Sequence, residues 1–249
     1  MTSKQTHFKY GEDHLTASLA LAISKGNCEG QLSENTRAKV RTSAGAVAEI
    51  VEEGQLVYGI NTGFGPLCTT KISKEETRVL QENILQSHSV GVGTPIKNEL
   101  AKLMLVLKIH SLAKGYSGIS ETTLNRILWH INNDAIPIVP SQGSVGASGD
   151  LAPLSHLFLP LIGLGKVCYN NQIITTAEFF DKTGLQPLEL GPKEGLALIN
   201  GTQFIAAHAV VAVDKFHNCL TQADIIGAMM VEGLQGSIKP FYKELHDLR

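Results

Sequence analysis

Apolar and polar positions alternate with a helical period over much of the chain. Within residues 33–54, valine and alanine side chains recur at intervals of four, three and four positions, which places them on one face of a helix. Ser33 is a favoured N-cap residue, and Gly54 is a favoured stop. The pattern therefore predicts a helix from Ser33 to Gly54.

Further helices are predicted on the same grounds over residues 73–88, 100–112, 120–131 and 202–234. The helix at 73 begins with a capping box, in which Ser73 is followed three positions later by Glu76. Gly115 closes the helix over 100–112, and Ser120 caps the one that follows. The chain is thus predicted to be mainly α.

The middle of the chain carries weaker signals. Asp150 is expected to be the N-cap of a helix over residues 151–163. The letters VCYNNQIIT predict a hairpin with Asn170 and Asn171 at its turn, because asparagine tolerates the positive φ that such turns need. Glycine-punctuated loops elsewhere leave room for only a few short strands.

The composition of the chain argues against several classes of protein. The 249-residue chain has a net charge of -2, and its basic residues are scattered, which argues against nucleic acid as a partner. Its four cysteines form no CxxC pair and its histidines show no HExxH or similar spacing, so neither a disulfide framework nor a metal site is expected. The longest apolar run, residues 151–165, is interrupted by a histidine and two prolines, so no membrane span is expected. These features fit a cytoplasmic protein with a small-molecule partner. Four histidines are expected to be structural or surface residues: His110, His130, His156 and His208.

The stretch GSVGASGDLAPL, residues 143–154, is unusual. A phosphate-binding loop needs GxxxxGK[ST], whereas Asp150 follows Gly149 here, and the spacing GxGxxG is absent. A plain linker is the simplest alternative, but it gives no reason for a serine between two small residues. The amide nitrogen of Gly149 can instead attack the carbonyl carbon of Ala147, and loss of two waters, one of them from the Ser148 side chain, leaves an exocyclic methylidene. The triplet is therefore a candidate electrophile made from backbone.

Four stretches, in order, resemble the aromatic amino-acid ammonia-lyases: YGINTGFG (58–65), SHSVGVG (87–93), GSVGASGDLAPLSH (143–156) and NGTQ (200–203). In that family an Ala-Ser-Gly triplet cyclises to 4-methylidene-imidazole-5-one (MIO). The resemblance covers essentially the whole chain, but only about the N-terminal half of a family member. The apolar helix faces near the end of the sequence lack partners, which points the same way. A truncated chain is therefore expected.

The resemblance implies an architecture and a cofactor. Residues 1–199 would form an N-terminal MIO-bearing domain, and residues 200–249 would begin a long-helix bundle of the L-aspartase/fumarase type. MIO would form autocatalytically from Ala147, Ser148 and Gly149, with no metal and no diffusible cofactor. A full-length chain would assemble as a homotetramer.

The resemblance also implies roles for residues near the electrophile. Tyr58 would be the base that takes a β-proton, although a lone tyrosine is more often a half-buried residue at a strand end. Gly59 and Gly65 would let its loop open and close, with Asn61 in support. Asp150 would take part in ring closure besides capping its helix.

Three further residues would bind the substrate. His88 would be a core residue if it stood alone, but Ser87-His88 resembles the histidine-specific members, and an imidazole can hydrogen-bond to the imidazole of histidine. Asn200 would lie beside the prosthetic group and could also cap the helix that begins near Thr202. Gln203 would face the same cavity.

These roles imply elimination of ammonia from L-histidine to give trans-urocanate. Two alternatives stay open. The first is a lyase that acts on phenylalanine or tyrosine, or a related aminomutase, in which His88 serves another purpose. The second is a non-catalytic fragment or assembly module that keeps the fold without the electrophile.

Overall fold

The computed structural model describes residues 7–54, 56–62 and 74–247. The helices among these residues are α1 (Ala17–Ser24), α2 (Glu34–Glu53), α3 (Lys74–His88), α4 (Asn98–Leu112), α5 (Glu121–Asn132), α6 (Leu151–Phe158), α7 (Thr176–Thr183), α8 (Glu194–Ile199) and α9 (Gln203–Gly233). The strands are β1 (His7–Lys9), β2 (Glu29–Gln31), β3 (Val92–Pro95), β4 (Ile136–Pro137), β5 (Pro140–Gln142), β6 (Lys166–Tyr169) and β7 (Gln172–Thr175). The predicted class, mainly α with a few short strands, is confirmed.

The predicted helix boundaries are confirmed where they rest on local caps. The Ser33 hydroxyl accepts a hydrogen bond from the Thr36 N–H at 3.0 Å, and Gly54 ends α2 with a φ of 71°. Ser120 caps α5 in the same way, through the Thr123 N–H. These caps satisfy amide groups that have no partner inside the helix.

The other predicted helices are also present. α4 covers the leucine-rich stretch, and α9 agrees with the long helix predicted from residue 202 to about 234. α3 begins at Lys74, and the capping box predicted at Ser73 lies outside the described residues.

The helix predicted over residues 151–163 is shorter than expected. α6 ends at Phe158, and a 3₁₀ turn covers Leu159–Ile162 before Gly163, whose φ is 87°. Pro160 has no N–H to continue the α-helical hydrogen bonds, and its ring crowds the preceding turn. The prediction was therefore wrong about where the α-helix stops.

Short strands connect the helices. Asn170 and Asn171 form the predicted hairpin turn between the antiparallel strands β6 and β7, with φ angles of 51° and 61°. β4 pairs with the other edge of β6, and β1 pairs in parallel with β2. β3 and β5 form a separate antiparallel pair in which Val92 lies opposite Gln142. This pair brings the segment after α3 next to the loop before α6.

α4 is the central helix of the core. Most of its positions from Ala101 to Leu112 are buried, and it packs against α1 and α5. Two of those buried positions are lysines, Lys102 and Lys108.

α3, α6 and α8 pack together as a second group. The Gln81 side-chain oxygen accepts hydrogen bonds from the first-turn amides of α8, Gly195 at 3.0 Å and Leu196 at 3.4 Å. The buried Ser155 hydroxyl of α6 donates to the Leu85 carbonyl of α3. These bonds satisfy buried polar groups and fix the helices that flank the candidate site.

The described residues divide into two compact units, one ending at His208 and the other beginning at Ala209. The second unit contains most of α9 and two short 3₁₀ turns. Several of its large apolar side chains are exposed, namely Val213, Phe216, Leu220, Ile225, Ile226, Met229 and Met230. An apolar surface of this kind marks a place where other protein packs.

The stretch Glu194–Gly233 is long and apolar enough to cross a bilayer by length and composition, and an 18-residue window within it has a mean hydropathy of 1.6. A helix inside a large helical bundle has the same properties. Asp214, Lys215 and Asp224 lie within this stretch, and charged side chains are costly in hydrocarbon. These charged residues favour a helix inside a helical bundle over a helix that spans a membrane.

His130 makes the core sensitive to acid. Its ring is buried beside Phe179, and its Nδ1–H donates to the Ala135 carbonyl at 2.7 Å. Burial lowers the pKa of His130 from 6.5 to about 4. The folded protein therefore holds this imidazole neutral where the unfolded chain would protonate it.

We expect the free energy of unfolding to fall as the pH drops from about 6.5 to about 4, because the unfolded state gains a proton there first. The part due to His130 is about 2 kcal/mol between pH 8 and pH 5. His130→Phe keeps an aromatic ring in place and should remove that part of the slope. Urea denaturation of both proteins at the two pH values checks this, and equal losses in both would contradict it.

Candidate active site

The loop before α6 has a strained backbone. Ser148 has a φ of 60° and Gly149 a φ of 107°, after Gly146 at 66°. A serine in the left-handed region is uncommon and costs energy that the surroundings must supply. The candidate triplet therefore lies in a conformation that the rest of the fold imposes.

Gly149 lies directly against Gly201. A Cβ atom on Gly149 would be 2.5 Å from the Gly201 carbonyl oxygen and 3.0 Å from its nitrogen. Real Cβ atoms do not approach backbone so closely, so only glycine fits at position 149. This contact joins the candidate triplet to the NGTQ segment.

The start of the same loop lies against the SHSVGVG segment. A Cβ atom on Gly143 would be 2.9 Å from the Cα of Gly91. The Gly91 N–H donates to Nε2 of His156 in α6 at 3.0 Å. Burial lowers the pKa of His156, which keeps Nε2 available as an acceptor at neutral pH. Three of the four segments that carry the resemblance therefore meet at one place.

Asp150 ties the end of the loop to the start of α9. Its N–H donates to the Gly201 carbonyl at 2.7 Å. Its carboxylate accepts from the Ser144 hydroxyl at 2.7 Å and from the Ile205 N–H at 3.0 Å. The side chain is buried, with 2% of its surface exposed. A charge-assisted network of this kind holds the loop rigidly.

Two predicted caps need correction. Asp150 occupies the N-cap position of α6 but makes no side-chain hydrogen bond to that helix. It satisfies instead an amide in the first turn of α9, that of Ile205. Asn200 does not cap α9 either, because it ends α8, where its N–H donates to the Leu196 carbonyl. The local rules chose the right residue types for capping but the wrong helices.

Asn200 and Gln203 lie on either side of Gly201. The Asn200 side chain is exposed, and its carbonyl accepts a hydrogen bond from the Lys108 ammonium at 2.7 Å. The Gln203 side-chain oxygen is buried without a hydrogen-bond partner and lies close to Gly201. A buried acceptor without a partner is costly unless a ligand or water supplies the donor.

His88 ends α3 and is half-buried. Its Nδ1 lies 2.9 Å from the Ile84 carbonyl oxygen and 3.1 Å from the Ser87 hydroxyl. Because a carbonyl only accepts, Nδ1 carries the proton and Nε2 of the neutral ring is left as an acceptor. In this form Nε2 of His88 can accept a hydrogen bond from an N–H group.

Tyr58 lies on a separate turn. The Asn61 side-chain oxygen accepts from the Val57 N–H at 2.9 Å and closes this turn, in which Gly59 has a φ of 78°. The Tyr58 side chain is 57% exposed. Gly65, which was expected to let this turn move, lies outside the described residues.

The residues present fit an MIO group. The triplet is held at both ends, only glycine is accommodated at its third position, and its backbone already departs from ordinary conformations. Among the described residues, no group of three or more histidine, cysteine, aspartate or glutamate side chains could hold a metal ion.

Sequence reasoning was correct about one supporting residue of the site and missed another. His156 was expected to be structural or on the surface, and it is a structural residue that supports Gly91. Lys108 was not singled out, although it stands between Met104 and Leu112 on a buried helix face. A lysine in an apolar stripe is the signal that could have identified it.

The helical fold and the joined segments define the class of protein. The family model for aromatic amino acid lyases matches residues 15–249. The chain belongs to the aromatic amino acid lyase family.

Individual relatives agree with this assignment. A histidine ammonia-lyase of Shewanella pealeana is 45% identical over 235 residues, which are 94% of this chain and 46% of that protein. Among solved structures, histidine ammonia-lyase from Trypanosoma cruzi has a TM-score of 0.89 at 34% identity, covering 98% of this chain and 47% of the other. A tyrosine aminomutase from Streptomyces globisporus has a TM-score of 0.90 at 32% identity, covering 96% and 45%. The chain thus spans about half the length of the curated relatives it matches.

Asp150→Ala should loosen the loop and the start of α9 together. The change removes the side-chain acceptor of the part-buried Ile205 N–H in the first turn of α9, and loss of such a cap costs about 0.5–2 kcal/mol. We expect a lower urea midpoint and faster amide hydrogen exchange at Ile205. Asp181→Ala, on the exposed side of α7, is the control and should leave both unchanged. Unaltered protection of Ile205 in Asp150→Ala would contradict the assigned bond.

Proposed function

We propose that this protein is a histidine ammonia-lyase, which converts L-histidine to trans-urocanate and ammonia with an MIO group formed from Ala147-Ser148-Gly149. The observation that carries the proposal is the meeting of His88's segment, the strained triplet and the Asn200 segment at one place. In this arrangement a substrate ring near His88 is close to the loop that would hold the electrophile. Residues 1–199 then act as the MIO-bearing domain, and residues 200–249 begin a helical bundle.

The substrate preference rests on His88. In the neutral ring of His88 Nε2 is an acceptor, and the imidazole N–H of histidine is a matching donor. Phenylalanine offers no donor there, so His88 would lose its hydrogen bond to water without replacement. Histidine is therefore the substrate that this site favours.

The other residues act on the reacting end of the substrate. Tyr58 takes the proton from Cβ, the electron pair of that C–H bond forms the Cα–Cβ double bond, and the Cα–N bond breaks to release ammonia. The MIO group supplies an electrophile that makes ammonia a better leaving group. Asn200 and Gln203 orient the substrate, and Gly59 and Gly65 let the Tyr58 turn move.

The exposed apolar side chains of α9 support an assembled protein. Their number favours burial against further helices, and we propose a cytoplasmic homotetramer for the whole protein. The proposal requires no metal, no diffusible cofactor, no nucleic acid and no membrane.

Cyclisation is tested by intact mass. The wild-type chain should be lighter than its sequence mass by two waters, because ring closure and loss of the Ser148 hydroxyl each release one. Ser148→Ala should restore the full mass. Ser141→Ala, the same change in β5, should keep the deficit. A wild-type chain at full sequence mass would refute formation of the electrophile and would favour the non-catalytic alternative.

Substrate choice is tested with His88→Leu. We expect the affinity for L-histidine, measured by calorimetry, to fall roughly 10- to 100-fold, because one hydrogen bond to a buried ring is lost. His208→Leu is a matched control, since its Nδ1 makes the same kind of bond to the Phe204 carbonyl.

Ammonia release separates the remaining alternatives. Wild-type protein should release ammonia faster from histidine than from phenylalanine or tyrosine. A preference for either of the other two would overturn the proposed substrate. It would instead support a phenylalanine or tyrosine lyase or an aminomutase.

A further inference from the structure

Lys108 is a buried lysine that has no charged partner among the described residues. Its side chain in α4 is 2% exposed, and among the described residues it makes one hydrogen bond, from Nζ to the Asn200 carbonyl at 2.7 Å. Burial lowers the pKa of Lys108 to about 7. Burying an amine without a carboxylate is costly, so its retention calls for a reason other than stability.

Lys102 offers a comparison on the same helix. It is also buried, but its Nζ pairs with the Asp134 carboxylate at 2.5 Å. That ion pair involves none of the candidate-site residues and accounts for the lysine. Lys108 has no such pair and is directed at the main chain of the NGTQ segment.

The hydrogen bond of Lys108 fixes one of two neighbouring carbonyls. The Asn200 carbonyl accepts from Lys108, and the Gly201 carbonyl accepts from the Asp150 N–H at 2.7 Å. Gly201 between them has a φ of 152° and lies against Gly149. Donors from α4 and from the start of α6 therefore hold two consecutive peptide groups beside the candidate triplet.

We propose that Lys108 is a positioning residue of the active site, which sets the main chain of Asn200 and Gly201 and thereby the Asn200 side chain and the packing of Gly201 on Gly149. The inference rests on the proposed function, because it takes these residues to form an active site. The hydrogen bond between Lys108 and the Asn200 carbonyl does not depend on that function. Lys108 touches neither the substrate nor the triplet in this role. It acts through the peptide groups that it holds.

Lys108→Met tests the proposal, with Lys102→Met as the matched control. Methionine keeps an unbranched apolar chain in the core, so the thermal midpoint should stay close to that of the wild type. We expect Lys108→Met to weaken histidine binding roughly tenfold and to lower the fraction of chains that have lost two waters. Lys102→Met should change neither. Equal values for the two variants would overturn the proposal.

A second variant keeps the test decisive if Lys108→Met does not fold. Lys108→Arg retains a cationic donor, and we expect histidine affinity and the cyclised fraction within threefold of the wild type. A tenfold loss of either at an unchanged thermal midpoint would overturn the positioning role.

Hydrogen exchange separates this inference from the proposed function. If the wild-type chain neither cyclises nor binds histidine, the proposed function fails, and the Asp150 amide then decides the role of Lys108. Faster exchange at Asp150 in a folded Lys108 variant than in Lys102→Met supports the positioning role. Equal exchange rates overturn it.

Discussion

The contact between Gly149 and Gly201 is the constraint on which the site depends. A side chain at residue 149 would collide with the Gly201 carbonyl, and the next residue, Asp150, donates its own N–H to that carbonyl. The end of the loop, the start of α6 and the start of α9 therefore share one point. Movement of any of them would break a bond to a buried polar group, so the three elements are expected to move together or not at all.

Rigidity at this point suits an electrophile made from backbone. Ring closure requires the loop to hold an amide nitrogen against a carbonyl carbon. A flexible loop would first have to be ordered, which costs about 1–2 kcal/mol for each residue. Here the cost is met by the fold, through Asp150 at one end and the packing of Gly143 on Gly91 at the other. Ser148 has a left-handed backbone conformation between these two fixed ends of the loop.

Local signals predicted the parts of the structure that are locally determined. Ser33 and Ser120 cap their own helices, and Asn170 and Asn171 turn their own hairpin. The same rules placed Asp150 correctly at the start of α6 but not its hydrogen-bond partner, which is 55 positions further along the chain. Lys108 was missed for a related reason, since its partner at the site, the Asn200 carbonyl, is distant in sequence. The sequence pattern can show that a polar residue falls on an apolar helix face, but only the folded structure shows which group that residue binds.

Backbone strain and unpaired polar atoms indicate a functional site only where the fold itself gives no reason for them. The positive φ angles of Asn170 and Asn171 are explained by a hairpin, and the unpaired hydroxyl of Tyr10 lies in the core, remote in sequence from the loop. Ser148 forms no hairpin, and the unpaired oxygen of Gln203 lies beside the glycine that packs on its loop. The strained backbone of Ser148 and the unpaired oxygen of Gln203 thus occur together, and no local structure requires either of them. This pattern is expected where residues are selected for function and not for stability.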